Sequence, residues 1–114
     1  MIFKYDSQVD ESLARGGSYE ITGTAAVESK QAWGFQSSDG AVVAAIKGVA
    51  IGTNCATLAE IRTAEVDISA IITNDLTVGL LPGVLYRADG YIITSIDLTS
   101  GSLHCYLMKT QISA

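Results

Sequence analysis

A nucleophile-plus-base arrangement needs a histidine that reaches a serine or cysteine and is oriented by a carboxylate. This chain offers a single histidine, His104, with Cys105 beside it. Neighbours along a strand project to opposite faces, so these two side chains diverge. Metal binding lacks its spacing as well, because one histidine and two distant cysteines, Cys55 and Cys105, contain no close-spaced ligand pair. The 12 acids are scattered between Asp6 and Asp97, and none sits in a calcium-binding loop pattern. A glycosidase pair of carboxylates need only be close in space, and the sequence singles out none. Gly40 is followed by Lys47 without the second glycine and the Lys-Ser or Lys-Thr of a nucleotide-binding loop, and no Gly-x-Gly-x-x-Gly occurs. The 11 glycines read instead as turn and bulge positions of a β fold. The expectation is a non-enzymatic chain with no catalytic residue, no cofactor and no metal.

What remains is surface chemistry. The aromatics are Phe3, Tyr5, Tyr19, Trp33, Phe35, Tyr86, Tyr91 and Tyr106. Core packing accounts for most of them, yet five tyrosines in a chain this short bring several hydroxyls that need partners or water. That favours the rim of a core or a subunit interface. Trp33, Phe35, Tyr86 and Tyr91 are the expected contacts with a partner or a second copy, since large aromatics dominate interface energetics. Exposed aromatics on a β scaffold also bind sugar rings, which makes a carbohydrate- or receptor-binding β module the alternative reading.

Composition narrows the partners. With 7 bases against 12 acids the net charge is -5, so the chain lacks the basic surface on which nucleic-acid affinity rests. Apolar residues make up 48% and charged residues 17% of the 114, which excludes disorder and implies a partly neutral surface. The uncharged segments Gly48 to Ala59, Leu76 to Tyr86 and Leu98 to Met108 are too short to cross a bilayer as helices. The first residues, Met1-Ile2-Phe3-Lys4-Tyr5-Asp6, lack a secretory signal, so the expected location is the cytoplasm or a particle assembled there. In that setting Cys55 and Cys105 read as two buried reduced thiols, with a disulfide as the other option.

The elements that must carry these residues are strands. From Tyr19 to Val27 the odd positions are Tyr19, Ile21, Gly23, Ala25 and Val27, a period of two that marks a half-buried strand. Trp33 and Phe35 repeat the spacing before the turn Ser37-Ser38-Asp39-Gly40. Ala41 to Ile51 is apolar except for Lys47 and reads as one or two strands with a break at Gly48. Val66 to Ser69 and Leu76 to Leu80 alternate on either side of Asn74-Asp75. Leu81-Pro82-Gly83 fits a type II turn, followed by a strand from Val84 to Ala88. Ile92, Thr94, Ile96 and Leu98 fall on one face, and Thr99-Ser100-Gly101-Ser102 predicts a hairpin whose return strand alternates Leu103, Cys105 and Leu107 with His104, Tyr106 and Met108. Thr57 to Glu65 is compatible with one or two helical turns, and Ser7 to Arg15 with one. The predicted architecture is all-β, a compact antiparallel β-sandwich or jelly-roll-like barrel over residues 19–114, preceded by an N-terminal arm over 1–18.

From Gln31 to Met108 the sequence resembles small virion structural proteins of tailed bacteriophages, of the head-decoration, cement or fibre-base type. The resemblance lies in the ordered series Gln31-Ala32-Trp33-Gly34-Phe35, Val42-Val43-Ala44-Ala45-Ile46, Leu81-Pro82-Gly83-Val84-Leu85-Tyr86 and Ile93 to Leu103, with Ile21 to Ala26 upstream. It implies a β-sandwich or jelly-roll-like domain, a homotrimer or other symmetric oligomer, and a major capsid or other virion structural protein as partner. It carries no catalytic residues over. The chain lacks long coiled-coil heptads, which sets it apart from a fibre shaft. The resulting expectation is a protein that decorates or stabilises a phage capsid or caps a tail or fibre component, made in the host cytoplasm and resident in the virion.

Overall fold

The computed structural model describes residues 17–24, 26–27, 29–72, 79–108 and 111–112. The expected arm therefore lies outside the described residues but for its last two positions, as do the helical turn considered over Ser7 to Arg15 and the Asn74-Asp75 turn. Of the described residues 49% are strand and 13% helix, which is the all-β class that the alternation predicts. The strands are β1 (Ser18–Thr22), β2 (Ala26–Val27), β3 (Ala32–Gln36), β4 (Val42–Ala50), β5 (Val66–Asp67), β6 (Tyr86–Arg87), β7 (Tyr91–Ser100) and β8 (Ser102–Leu107). Two helices, α1 (Leu58–Ala64) and α2 (Ser69–Ile72), lie between β4 and β6. The sheet order is β1-β8-β3-β7-β4-β5, with β2 also on β7 and β6 on β3, and every pair is antiparallel. Ala32 pairs with Ile93 on one side and Leu107 on the other, so the sheet curls around β3.

The predicted hairpin of β7 and β8 does not form. β7 continues through Ser100, leaving only Gly101 before β8, whereas the shortest common hairpin loops need about two residues. The chain bends instead of reversing. β7 takes β2 and β4 as neighbours, while β8 takes β1 and β3. Gly101 has φ of +82°, and a Cβ there would stand 2.6 Å from the Ala41 Cα, so only glycine fits the corner. Both flanks hold it in place. Gly23 N–H donates to the Gly101 carbonyl at 2.9 Å, and the Asp39 carboxylate accepts from the Ser102 N–H and hydroxyl, each at 3.1 Å. The single strand expected over Tyr19 to Val27 is bent here too, into β1 and β2, with Ile21 and Val27 as their buried residues.

Bulges shift the face on which residues fall. Between Ala32 and Gly34 the β3–β8 register slips, so Phe35 enters the main core while Trp33 stacks on Tyr106, the outward neighbour of buried Cys105. In β7 the pairing jumps from Gly48–Ile93 to Lys47–Ser95, which makes Thr94 an extra residue. Ile93, Ile96 and Leu98 accordingly share the main core, and Ile92 points into a second one. This corrects the single face expected for Ile92, Thr94, Ile96 and Leu98. At Gly48 the expected break is a register shift within one continuous β4.

The second core packs α1 against the sheet through Val49, Cys55, Ile61, Ile92 and Ile112. Thr57 caps α1, its hydroxyl accepting from Glu60 N–H at 3.2 Å, which satisfies one of the open donors at a helix start. The predicted strand over Val66 to Ser69 is shorter than expected. Only Val66 and Asp67 pair, and the Asp67 carboxylate accepts from Ser69 N–H at 2.9 Å at the start of α2. The strand predicted from Val84 shrinks to Tyr86–Arg87. The turn before it forms as predicted, with Val84 N–H donating to the Leu81 carbonyl at 3.3 Å and Gly83 at φ +78°.

Candidate functional site

Of the four aromatics expected at a partner surface, three are buried and one is half-buried. Trp33, Phe35 and Tyr86 are 4%, 0% and 8% exposed, and Tyr91 is half-buried against the main core. Phe35 and Tyr86 stack at 5.6 Å between ring centroids, and Trp33 lies between Tyr106 at 5.3 Å and the Arg87 guanidinium at 5.8 Å. Their burial has a topological cause. β3 is an interior strand paired on both edges, and residues 32–35 are buried on both of its faces. The Tyr86 hydroxyl accepts from Leu81 N–H at 3.0 Å, so it serves the fold by holding the 81–85 loop.

That loop carries three outward apolar side chains. Leu81, Val84 and Leu85 are 58%, 40% and 45% exposed. A second brace fixes the loop, because Gly83 N–H donates to the Ser37 carbonyl at 2.8 Å. The Leu-Pro-Gly-Val-Leu run was the available signal in the sequence.

Beside the loop, β1, β8 and β3 present a polar outer face. Glu20 and Gln36 pair across their strands with His104, forming a row, and Tyr106 follows one step along β8. Gln36 Nε2 donates to the Tyr106 hydroxyl at 2.6 Å, and the His104 ring meets that of Tyr106 edge-on at 5.4 Å. With Ser38 and the Pro82-Gly83 turn these residues line an open groove of about 600 Å³. His104 and Cys105 do diverge, the first exposed and the second buried. Burial pushes the Cys105 thiol up to about 12, and it raises Cys55 too, with the Glu60 charge adding to the effect. Both cysteines are free, and they sit in different cores, which resolves the disulfide alternative in favour of two thiols.

Two interior polar clusters escape sequence reasoning because their members lie far apart in the chain. Thr94 donates to Glu65 Oε2 at 2.8 Å, while Arg62 donates to the Thr94 carbonyl at 3.0 Å and lies 3.6 Å from Glu65. Gln31 exchanges two side-chain hydrogen bonds with the Ile112 backbone, at 3.1 and 2.6 Å, and two backbone ones with the Gln111 side chain, at 2.8 and 2.6 Å. These tie the chain beyond β8 to the entry of β3. Among the described residues no group of three or more His, Cys, Asp or Glu could hold a metal ion, and no helix is long and apolar enough to cross a membrane. No family model, curated protein or solved structure matches the chain.

Proposed function

We propose that this chain is a non-enzymatic structural protein of a phage virion, a symmetric oligomer, with a homotrimer as the expected form, that decorates or stabilises the particle by binding a capsid or other structural protein. The observation that carries the reading is the braced loop with Leu81, Val84 and Leu85 turned outward. Contiguous exposed apolar side chains on a rigid support are a mark of protein–protein contact. The resemblance over Gln31 to Met108 supplies the kind of particle. The acidic balance of -5 supports a protein partner over nucleic acid. The test mixes purified protein with particles that lack it and measures occupancy. Saturable occupancy is expected, with loss in a Leu81→Ser, Leu85→Ser double variant whose melting temperature is unchanged. Binding to no particle component would reject the reading.

A further inference from the structure

We propose that the groove on the outer face of β1, β8 and β3 is a binding site for a neutral saccharide. Three observations converge on that class of ligand, and none of them involves the apolar loop side chains. The first is the row of planar polar groups. Glu20, His104 and Gln36 stand opposite one another on three adjacent strands, so a carboxylate, an imidazole and a carboxamide face the same space. A carboxylate offers two acceptor oxygens side by side, and the Gln36 amide, with one N–H given to Tyr106, keeps one acceptor and one donor, which suits adjacent sugar hydroxyls that both donate and accept. The second is the ring surface. His104 is exposed and lies edge-on to Tyr106, so ring carbons form part of the floor against which the C–H face of a pyranose packs. The third is preorganisation. Tyr106 is stacked on Trp33 and bonded to Gln36, so both side chains are already held in place and lose little freedom on binding.

Charge selects within the class. Among the described residues no lysine or arginine lines the groove, Glu20 contributes a negative charge to it, and the whole chain carries -5. Acidic sugars and phosphates are repelled, while an uncharged hydroxyl-rich ring meets no penalty. The open form, with the Pro82-Gly83 turn as one wall, admits a residue within a longer chain as readily as a terminal one.

The experiment is a titration of the isotope-labelled full chain with lactose, maltose and chitobiose, followed by amide chemical shifts. At least one of the three is expected to bind saturably with a Kd below about 10 mM, and to move amides of Glu20, Gln36, His104 and Tyr106. Glu20→Ala and Gln36→Ala are each expected to weaken binding by about tenfold or more, equivalent to about 1.4 kcal/mol. Tyr106→Phe keeps the ring on Trp33 and is expected to fold and bind more weakly, while Ala50→Ser, on β4 outside the groove, is expected to bind as the parent does. The proposal is overturned by absence of saturable binding to all three sugars, by unchanged affinity in folded Glu20→Ala and Gln36→Ala, or by tighter binding of sialyllactose than of lactose.

Discussion

The Asp39 carboxylate lies below its ordinary value of 3.8, first because Ser102 N–H donates to it and then because the Ser37 hydroxyl does. A lowered value in the folded state means that the ionised form stabilises the fold. That contribution is complete above the unfolded value of 3.8 and disappears as the pH falls through the folded value. Asp67 behaves alike, held down chiefly by Ser69 N–H. The melting temperature is therefore expected to drop as pH falls below about 4, and Asp39→Asn to flatten part of that drop. Melting curves of both proteins across this range provide the check, and identical slopes would remove Asp39 from the account. The thiols give a second prediction at this scale. Cys55 and Cys105 are 1% and 2% exposed, and burial holds both in the protonated form, which is a poor nucleophile. A thiol reagent at pH 8 is expected to label neither until denaturant is added. Rapid labelling of one thiol in the native protein would contradict its burial.

Among the elements, the corner at Gly101 is the most exacting. Gly101→Ala places a side chain at positive φ and against Ala41, whereas Gly90→Ala, at φ +78° with no atom within 4 Å of the added Cβ, meets only the backbone strain. Equilibrium unfolding is expected to show a loss of about 1 kcal/mol for Gly90→Ala and of about 3 kcal/mol or more for Gly101→Ala. Equal losses would mean that the corner relaxes. At the other end of β8, Gln31→Ala leaves the Ile112 N–H and carbonyl without their partner, with an expected cost of about 1–3 kcal/mol. Faster hydrogen exchange at Ile112 would locate the loss. The same elements show how far the sequence could be read. Alternation is a local signal, and it placed β8 well; the φ preferences of proline and glycine placed the Pro82-Gly83 turn, and the Ala, Leu and Glu content of Thr57 to Glu65 was compatible with α1. It could not reveal that one residue, Thr94 or Trp33, is inserted into a ladder, because a bulge depends on the partner strand. Nor could it separate a hairpin from a bend at Gly101, since Asp39 and Gly23 enforce the bend from distant positions. The groove was illegible for the same reason: Glu20, Gln36 and His104 become a row only once β1 and β3 flank β8.

At the scale of the whole molecule, the exposed large aliphatic side chains among the described residues fall in two places, with Tyr19 on β1 exposed besides. One is the 81–85 loop beside β3, and the other is Val66 and Ile71, 49% and 42% exposed, on β5 and α2 at the β4 end of the sheet. A protein that both self-associates and attaches to a particle needs two such surfaces, because a face consumed in a closed oligomer is no longer free for a partner. If the proposed function holds and the loop attaches, the Val66–Ile71 surface is the one left to join copies, which the mass in solution tests. Light scattering is expected to give about three times the chain mass of 12.0 kDa for the parent protein and 12.0 kDa for Val66→Lys, whose charge would be buried without a partner. Leu81→Ser with Leu85→Ser is expected to keep the oligomer and lose the particle. Salt separates the forces involved. At about 1 M salt the Debye length is about 3 Å, which removes attraction between exposed charges and leaves apolar burial in place, so occupancy of the particle is expected to persist. A parent mass of 12.0 kDa at every working concentration would reject the oligomer, and attachment abolished by salt would transfer the binding energy from the loop to charged residues.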